Sequence, residues 1–160
     1  MSPLRLRPAR TDDGAGLGDL AVASKAAWGY DEAFIEACRA EPTITPQRIA
    51  TERIVVADGG STVGFSSLVV EGGTADLVDL FVDPGRLRQG IGAWLFDDAL
   101  TAARAGGAVR VQIEADPHAE AFSEHRGARR IGLAPSGSIP GRMLPLLEVD
   151  LAGEDERPGC

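Results

Sequence analysis

The order of the hydrophobic patterns predicts a single α/β (α+β) domain, a mixed, mostly antiparallel sheet layered with helices. Three observations lead there. Consecutive strand-like runs separated only by glycine turns, from Ile54 to Val82, require antiparallel pairing. Strand and helix patterns then alternate, which requires crossover connections and parallel pairing. The length of 160 residues suits one domain on a prior of roughly 150 residues each.

Taken in order, Leu4, Leu6 and Pro8 alternate with Arg5 and Arg7 as a first strand, and Thr11, Asp12 and Asp13 then supply helix-capping oxygens. Leu17, Leu20, Ala21, Ser24 and Trp28 recur at helical spacing and Gly29 ends the run. A second helix is expected over Glu32 to Arg39, and Thr45 with Pro46 marks a short third. Ile54 to Ala57, Val63 to Glu71 and Ala75 to Val82 form a meander with turns at Asp58 to Ser61 and at Gly72 and Gly73. A helix from Ile91 to Ala105, a strand from Val109 to Ala115, a short helix from Pro117 and two further strands complete the reading. In the long helix, Ile91, Leu95, Ala99 and Ala102 are expected to face the core, with Asp97, Thr101 and Arg104 on a solvated side. Residues 1–152 form the expected domain, and the charged tail from Gly153 to Cys160 is expected to be mobile.

Composition removes several function classes. With 44% hydrophobic and 25% charged residues, the chain is neither disordered nor collagen-like. Its apolar runs are too short to cross about 30 Å of hydrocarbon, and Met1 to Ala9 lacks the apolar core of a secretory signal. No membrane partner and a cytoplasmic location are the expectations. A formal charge of -8 opposes binding to phosphate backbones, so no nucleic acid is expected. Cys38 and Cys160 make no disulfide framework and are expected to be reduced thiols. His118 and His125 have no partners at ligand spacing, so no metal is expected.

Leu80 to Leu95 reads as a strand, a basic glycine loop and a helix start. Glycines let the backbone approach a ligand, the first-turn N–H groups are free, and the macrodipole adds about half a positive charge. Arg86 and Arg88 add full charges, so the segment favours an anion. Leu95 stands where a dinucleotide fingerprint needs its third glycine, and no P-loop lysine follows. A tight turn with helix packing is the bland alternative.

Leu87 to Gly92 resembles the Arg/Gln-x-x-Gly-x-Gly/Ala acyl-CoA loop of the GCN5-related N-acetyltransferase (GNAT) family. The resemblance runs from Arg5-Leu6-Arg7-Pro8 through this loop to Ala119-x-x-Phe122 and Gly127-Ala128, in the family's order. It is nearest to a branch with Trp28-Gly29-Tyr30, Glu114 to Pro117 and the Pro135 to Arg142 loop. The resemblance implies a GNAT-like sheet of about seven strands flanked by about four helices, acetyl-CoA as cofactor, and a homodimer as a possible assembly. It implies that the diphosphate rests on Leu87, Arg88, Gln89, Gly90, Ile91, Gly92 and Ala93, with pantetheine along the backbone of Leu80, Phe81 and Val82.

Two positions depart from the family. Leu87 replaces the arginine or glutamine that opens the loop, and Ser123 replaces the tyrosine that protonates the departing thiolate. A thiol with a pKa near 8.5 can leave without help; otherwise Ser123 or Tyr30, the chain's single tyrosine, is the candidate donor.

A lysine-like amine with a pKa near 10.4 arrives protonated, so transfer needs a proton acceptor. Asp76 matches a strand position where some family members carry a catalytic glutamate. On a two-residue period it shares a face with Val78, Leu80 and Val82, while Asp79 points away. An exposed strand-end carboxylate is the bland reading of Asp76; Asp79 and Glu114 are weaker candidates. Asp116 reads as an N-cap before Pro117. Trp28, Tyr30 and Arg142 are the candidate substrate contacts, Trp28 also fitting a core role and Arg142 meeting an acceptor carboxylate. The expected function is acetyl transfer to a primary amine of a small molecule, with a protein or peptide amine, or a non-catalytic acyl-CoA sensor, as the alternatives.

Overall fold

The computed structural model describes residues 3–40, 44–87, 89–136 and 141–151, with backbone alone for residues 38–40. Arg88, Cys160, the Cys38 thiol, the middle of the Pro135 to Arg142 loop and the 153–160 tail lie outside the described residues.

Among the described residues, seven strands form one sheet in the order β1-β2-β3-β4-β5-β7-β6, with five helices. The strands are β1 (Arg5–Pro8), β2 (Arg53–Asp58), β3 (Thr62–Glu71), β4 (Thr74–Val82), β5 (Arg110–Glu114), β6 (Arg129–Pro135) and β7 (Met143–Asp150). The helices are α1 (Gly14–Ala27), α2 (Glu32–Ala40), α3 (Pro46–Thr51), α4 (Ile91–Ala105) and α5 (Pro117–His125). β1 with β2, β5 with β7 and β6 with β7 pair antiparallel, while β4 and β5 are parallel. The parallel step from β4 to β5 needs a crossover connection, which α4 supplies.

The chain divides into two compact units, Met1–Ser67 with Asp79–Phe96, and Leu68–Val78 with Asp97–Cys160. In the first, Ile54 and Val56 pack with Leu17, Ala21 and Phe65, whereas Val55 and Ala57 pack with Val63, Ile91 and Leu95. Covering both faces of β2 explains its unbroken apolar run. Leu17, Ala21 and Ser24 form the buried stripe of α1, and the buried Ser24 hydroxyl donates to the Val82 carbonyl at 2.8 Å. Arg7 joins β1 to both Asp13, at 2.8 Å, and Asp58, at 2.9 Å. Thr45 caps α3 by accepting from the Arg48 N–H.

In the second unit, Val111, Leu147 and Val149 are buried on β5 and β7. On α4 it is Ala103, fully buried, rather than the expected Ala102 that follows Ala99 into the core. Both lie about one turn beyond Ala99, and the 3.6-residue period leaves that choice to packing. Asp116 caps α5 as expected, its Oδ1 accepting from the His118 N–H at 2.8 Å ahead of Pro117.

Candidate active site

On β4, Ala75 and Leu77 are buried while Asp76 and Val78 are exposed, so the predicted alternation holds. Asp76 lies opposite Gln112 at the last pair of the parallel ladder, and β4 continues past that pair from Leu77 to Val82. A cavity of about 260 Å³ is lined by Asp76, Val78, Gln112, Glu114, Ala134 and Leu146. Gln112 and Glu114 share one side of β5 by the two-residue period. Two carboxylates and an amide therefore line a partly apolar recess in which, among the described residues, no basic side chain takes part. Among the described residues, the Asp76 carboxylate has no hydrogen-bond or ion-pair partner.

Asp79 occupies the other face of β4. Its Oδ2 accepts from the Ser67 hydroxyl at 2.7 Å and from Arg48 Nη2 at 2.7 Å. Arg48 is also gripped by Glu52, through Nε at 2.7 Å and Nη2 at 2.8 Å. Hydrogen bonding to Glu52, and then to Asp79, pushes the Arg48 guanidinium above the ordinary arginine range despite its burial. Asp79 is therefore corrected from a weak base candidate to a structural ion-pair partner, because its carboxylate is already satisfied.

The glycine loop is built by a cap and a left-handed turn. Asp83 accepts from the Gly85 N–H at 2.9 Å, holding a 3-10 turn over Pro84–Arg86. Arg86 Nε donates to Gln89 Oε1 at 2.8 Å. Gly90 has φ +81°, the conformation that glycine adopts without a Cβ penalty, and a Cβ there would meet nothing within 4 Å. α4 starts at the next residue, so its unsatisfied N–H groups and positive dipole end lie beside open space. These features fit a diphosphate: backbone donors, a fixed partial charge and room beside the chain. Ile91 is buried, which leaves only its N–H for such a ligand. Leu87 stands 56% exposed. Along β4, the Val82 carbonyl already accepts from Ser24, so the pantetheine contacts expected of Leu80, Phe81 and Val82 have that acceptor partly engaged.

The remaining candidates separate. Trp28, Tyr30 and Phe34 form a run of rings, Tyr30 stacked on Phe34 at 3.9 Å and edge-on to Trp28 at 6.5 Å. Trp28 reaches Phe81 at 6.2 Å, and Lys25 Nζ stands 5.7 Å from the centre of the Phe81 ring. The run gives Trp28 and Tyr30 an anchored, half-buried position. Ser123 is 5% exposed within α5. Arg142 Nη2 donates to Asp116 Oδ2 at 3.2 Å while Asp116 Oδ1 also holds His118 Nδ1 at 2.8 Å. Arg142 thus meets a carboxylate of its own chain. Among the described residues, no group of three His, Cys, Asp or Glu side chains could hold a metal.

Sequence reasoning missed Gln112, whose place opposite Asp76 depends on register, and the Arg48 network, whose members are far apart in sequence. It also passed over Trp94, 42% exposed on the first turn of α4. Its signal was available: Trp94, Asp97, Asp98 and Thr101 fall on one helical face opposite Leu95 and Ala99.

A family model described as an acetyltransferase (GNAT) domain matches residues 13–134, and the chain belongs to that family. It is an acyltransferase whose donor is acetyl-CoA and whose family acts on amine acceptors. The fold is similar to a GCN5-related N-acetyltransferase structure from Rhodopseudomonas palustris, with a TM-score of 0.79, 26% identity, and coverage of 94% of this chain and 98% of that one. It is also similar to the PaiA N-acetyltransferase of Thermoplasma acidophilum in complex with coenzyme A, with a TM-score of 0.75, 18% identity, and coverage of 92% and 99%. A third similar structure is YncA of Salmonella typhimurium with acetyl-CoA, with a TM-score of 0.68, 15% identity, and coverage of 99% and 100%. A search of curated proteins finds no significant match. Among the described residues no helix is long and apolar enough to cross a membrane.

Proposed function

We propose that this chain transfers the acetyl group of acetyl-CoA to a primary amine of a small, cationic molecule, with Asp76 as the proton acceptor. The observation that carries the reading is the Asp76 carboxylate, unpartnered among the described residues, in a recess it shares with Glu114 and Gln112. At about 260 Å³ the recess lies at the small end of ligand sites, which suits the end of a small molecule. Glu114 supplies a second negative charge for an acceptor with more than one cationic group, as in a polyamine or an aminoglycoside.

The roles follow from position. The bound ammonium gives its proton to Asp76, directly or through one water, and the freed nitrogen attacks the thioester carbonyl carbon. Backbone N–H groups of β4 beyond the ladder are the donors available to the carbonyl oxygen as charge develops there. The N–C bond forms and the C–S bond breaks, coenzyme A departs as a thiolate whose pKa is low enough to leave unassisted, and the second proton of the new amide nitrogen passes through water to that thiolate, giving the amide and the free thiol. Ser123, buried in α5, is left out of proton transfer in this reading.

Single-turnover reactions with radiolabelled acetyl-CoA test the acceptor class. Label is expected on polyamines or aminoglycosides; label appearing only on peptides or protein termini would overturn the small-molecule reading.

A further inference from the structure

Among the described residues of the first compact unit, both large exposed apolar side chains belong to one short segment. Leu87 is 56% exposed and Trp94 is 42% exposed, and Gly90 lies between them. The other described apolar side chains of this size in that unit are buried, as Phe65 and Leu95 are at 0%, or half-buried. Trp94 differs in this from Trp28, which is packed against Tyr30 and Phe81. The Trp94 indole, on the first turn of α4, keeps 42% of its surface in water while Ile91, Leu95, Phe96 and Ala99 fill the core face. Leu87 stands where the family's loop offers a polar side chain, so this loop has exchanged a hydrogen-bond donor for apolar surface.

We infer that Leu87 and Trp94 form the adenine subsite for acetyl-CoA, the indole stacking on the purine and Leu87 packing against the nucleotide. The inference rests on acetyl-CoA as the donor and adds the residues that hold its far end. Position supports it: Trp94 follows the Gly90 to Gly92 cradle by two residues, and its N–H is spent within the helix on the Gly90 carbonyl at 3.0 Å, leaving the ring as its contribution. Charge is compatible as well. Asp97, next on the same helical face, is paired with Arg126 Nη2 at 2.6 Å and so presents no bare carboxylate to a nucleotide phosphate. Stacking of a base on an aromatic ring needs no hydrogen-bond code and depends on ring area.

Calorimetric titration of wild type, W94A, W94F and L87A with coenzyme A, adenosine 3′,5′-bisphosphate and S-acetylpantetheine tests the subsite. W94A is expected to weaken both nucleotide ligands about tenfold, W94F to fall between it and wild type, and L87A to lose about threefold. S-acetylpantetheine, which lacks the nucleotide, should change less than twofold. In a W28F background the remaining indole emission should be quenched by the bisphosphate alone. Equal weakening of all three ligands would overturn the inference, as would unchanged nucleotide affinity with unquenched emission. Because these are binding measurements, they stand or fall apart from the amine panel: failure of every small amine would sink the proposed function and leave the subsite intact.

Discussion

Asp76 and Asp79 lie on one strand, three residues apart, and end in opposite circumstances. Asp79 is held by Ser67 and Arg48, each at 2.7 Å, on the face where α3 supplies a guanidinium. Asp76 faces a recess walled by Gln112, Glu114 and apolar side chains. Identical chemistry is thus divided by pleat parity: the odd spacing sends one carboxylate into an ion pair and leaves the other facing the recess, where the proposed function uses it as the proton acceptor. A carboxylate satisfied by a permanent cation is a poor base, whereas one without such a partner can accept a proton from an arriving amine.

The largest expected effect belongs to Asp76. D76N should lower the single-turnover rate of acetyl transfer by about 10²- to 10⁴-fold, the usual worth of a positioned base. Its melting temperature and coenzyme A affinity should stay near wild type. D79N should do the reverse, costing about 2 kcal/mol because it breaks a partly buried pair and leaves Arg48 under-compensated. For a chain of this length that is a fall of roughly 4–8 °C in melting temperature. Equal rate losses in the two variants would erase the distinction between the faces.

The division of β4 was legible in the sequence, since the odd, three-residue spacing of Asp76 and Asp79 puts them on opposite faces of a strand. So were the glycine turns, the Asp116 cap and the boundaries of α4, because each rests on local chemistry. What occupies each face was not legible. Arg48 reaches Asp79 across 31 positions and Arg142 reaches Asp116 across 26, and no local pattern encodes such pairings. Ala103 displaced Ala102 for a related reason: both satisfy the helical period, and only packing chooses. Exposure of Leu87 and Trp94 is likewise a tertiary outcome, although the helical phase of Trp94 pointed to it.

A smaller effect extends the comparison to a third paired carboxylate. The Arg7 guanidinium, bonded to Asp13 at 2.8 Å, holds that carboxyl below its ordinary range. A carboxyl whose pKa is depressed in the folded state stabilises the fold above its unfolded pKa of about 3.9 and loses that contribution as pH falls. Chemical denaturation from pH 5 to pH 3 should therefore lose on the order of 1 kcal/mol in wild type. D13N, less stable at pH 5, should lose less over the same interval. Parallel losses in the two proteins would place the acid sensitivity elsewhere.

The most direct test of Asp76 as proton acceptor is an experimental structure of the protein with a bisubstrate analogue, coenzyme A joined through an acetyl bridge to an amine. The account predicts the amine nitrogen within hydrogen-bond reach of an Asp76 carboxylate oxygen, directly or through one water. A nitrogen on the opposite face of β4, beside Asp79 and Arg48, would contradict it.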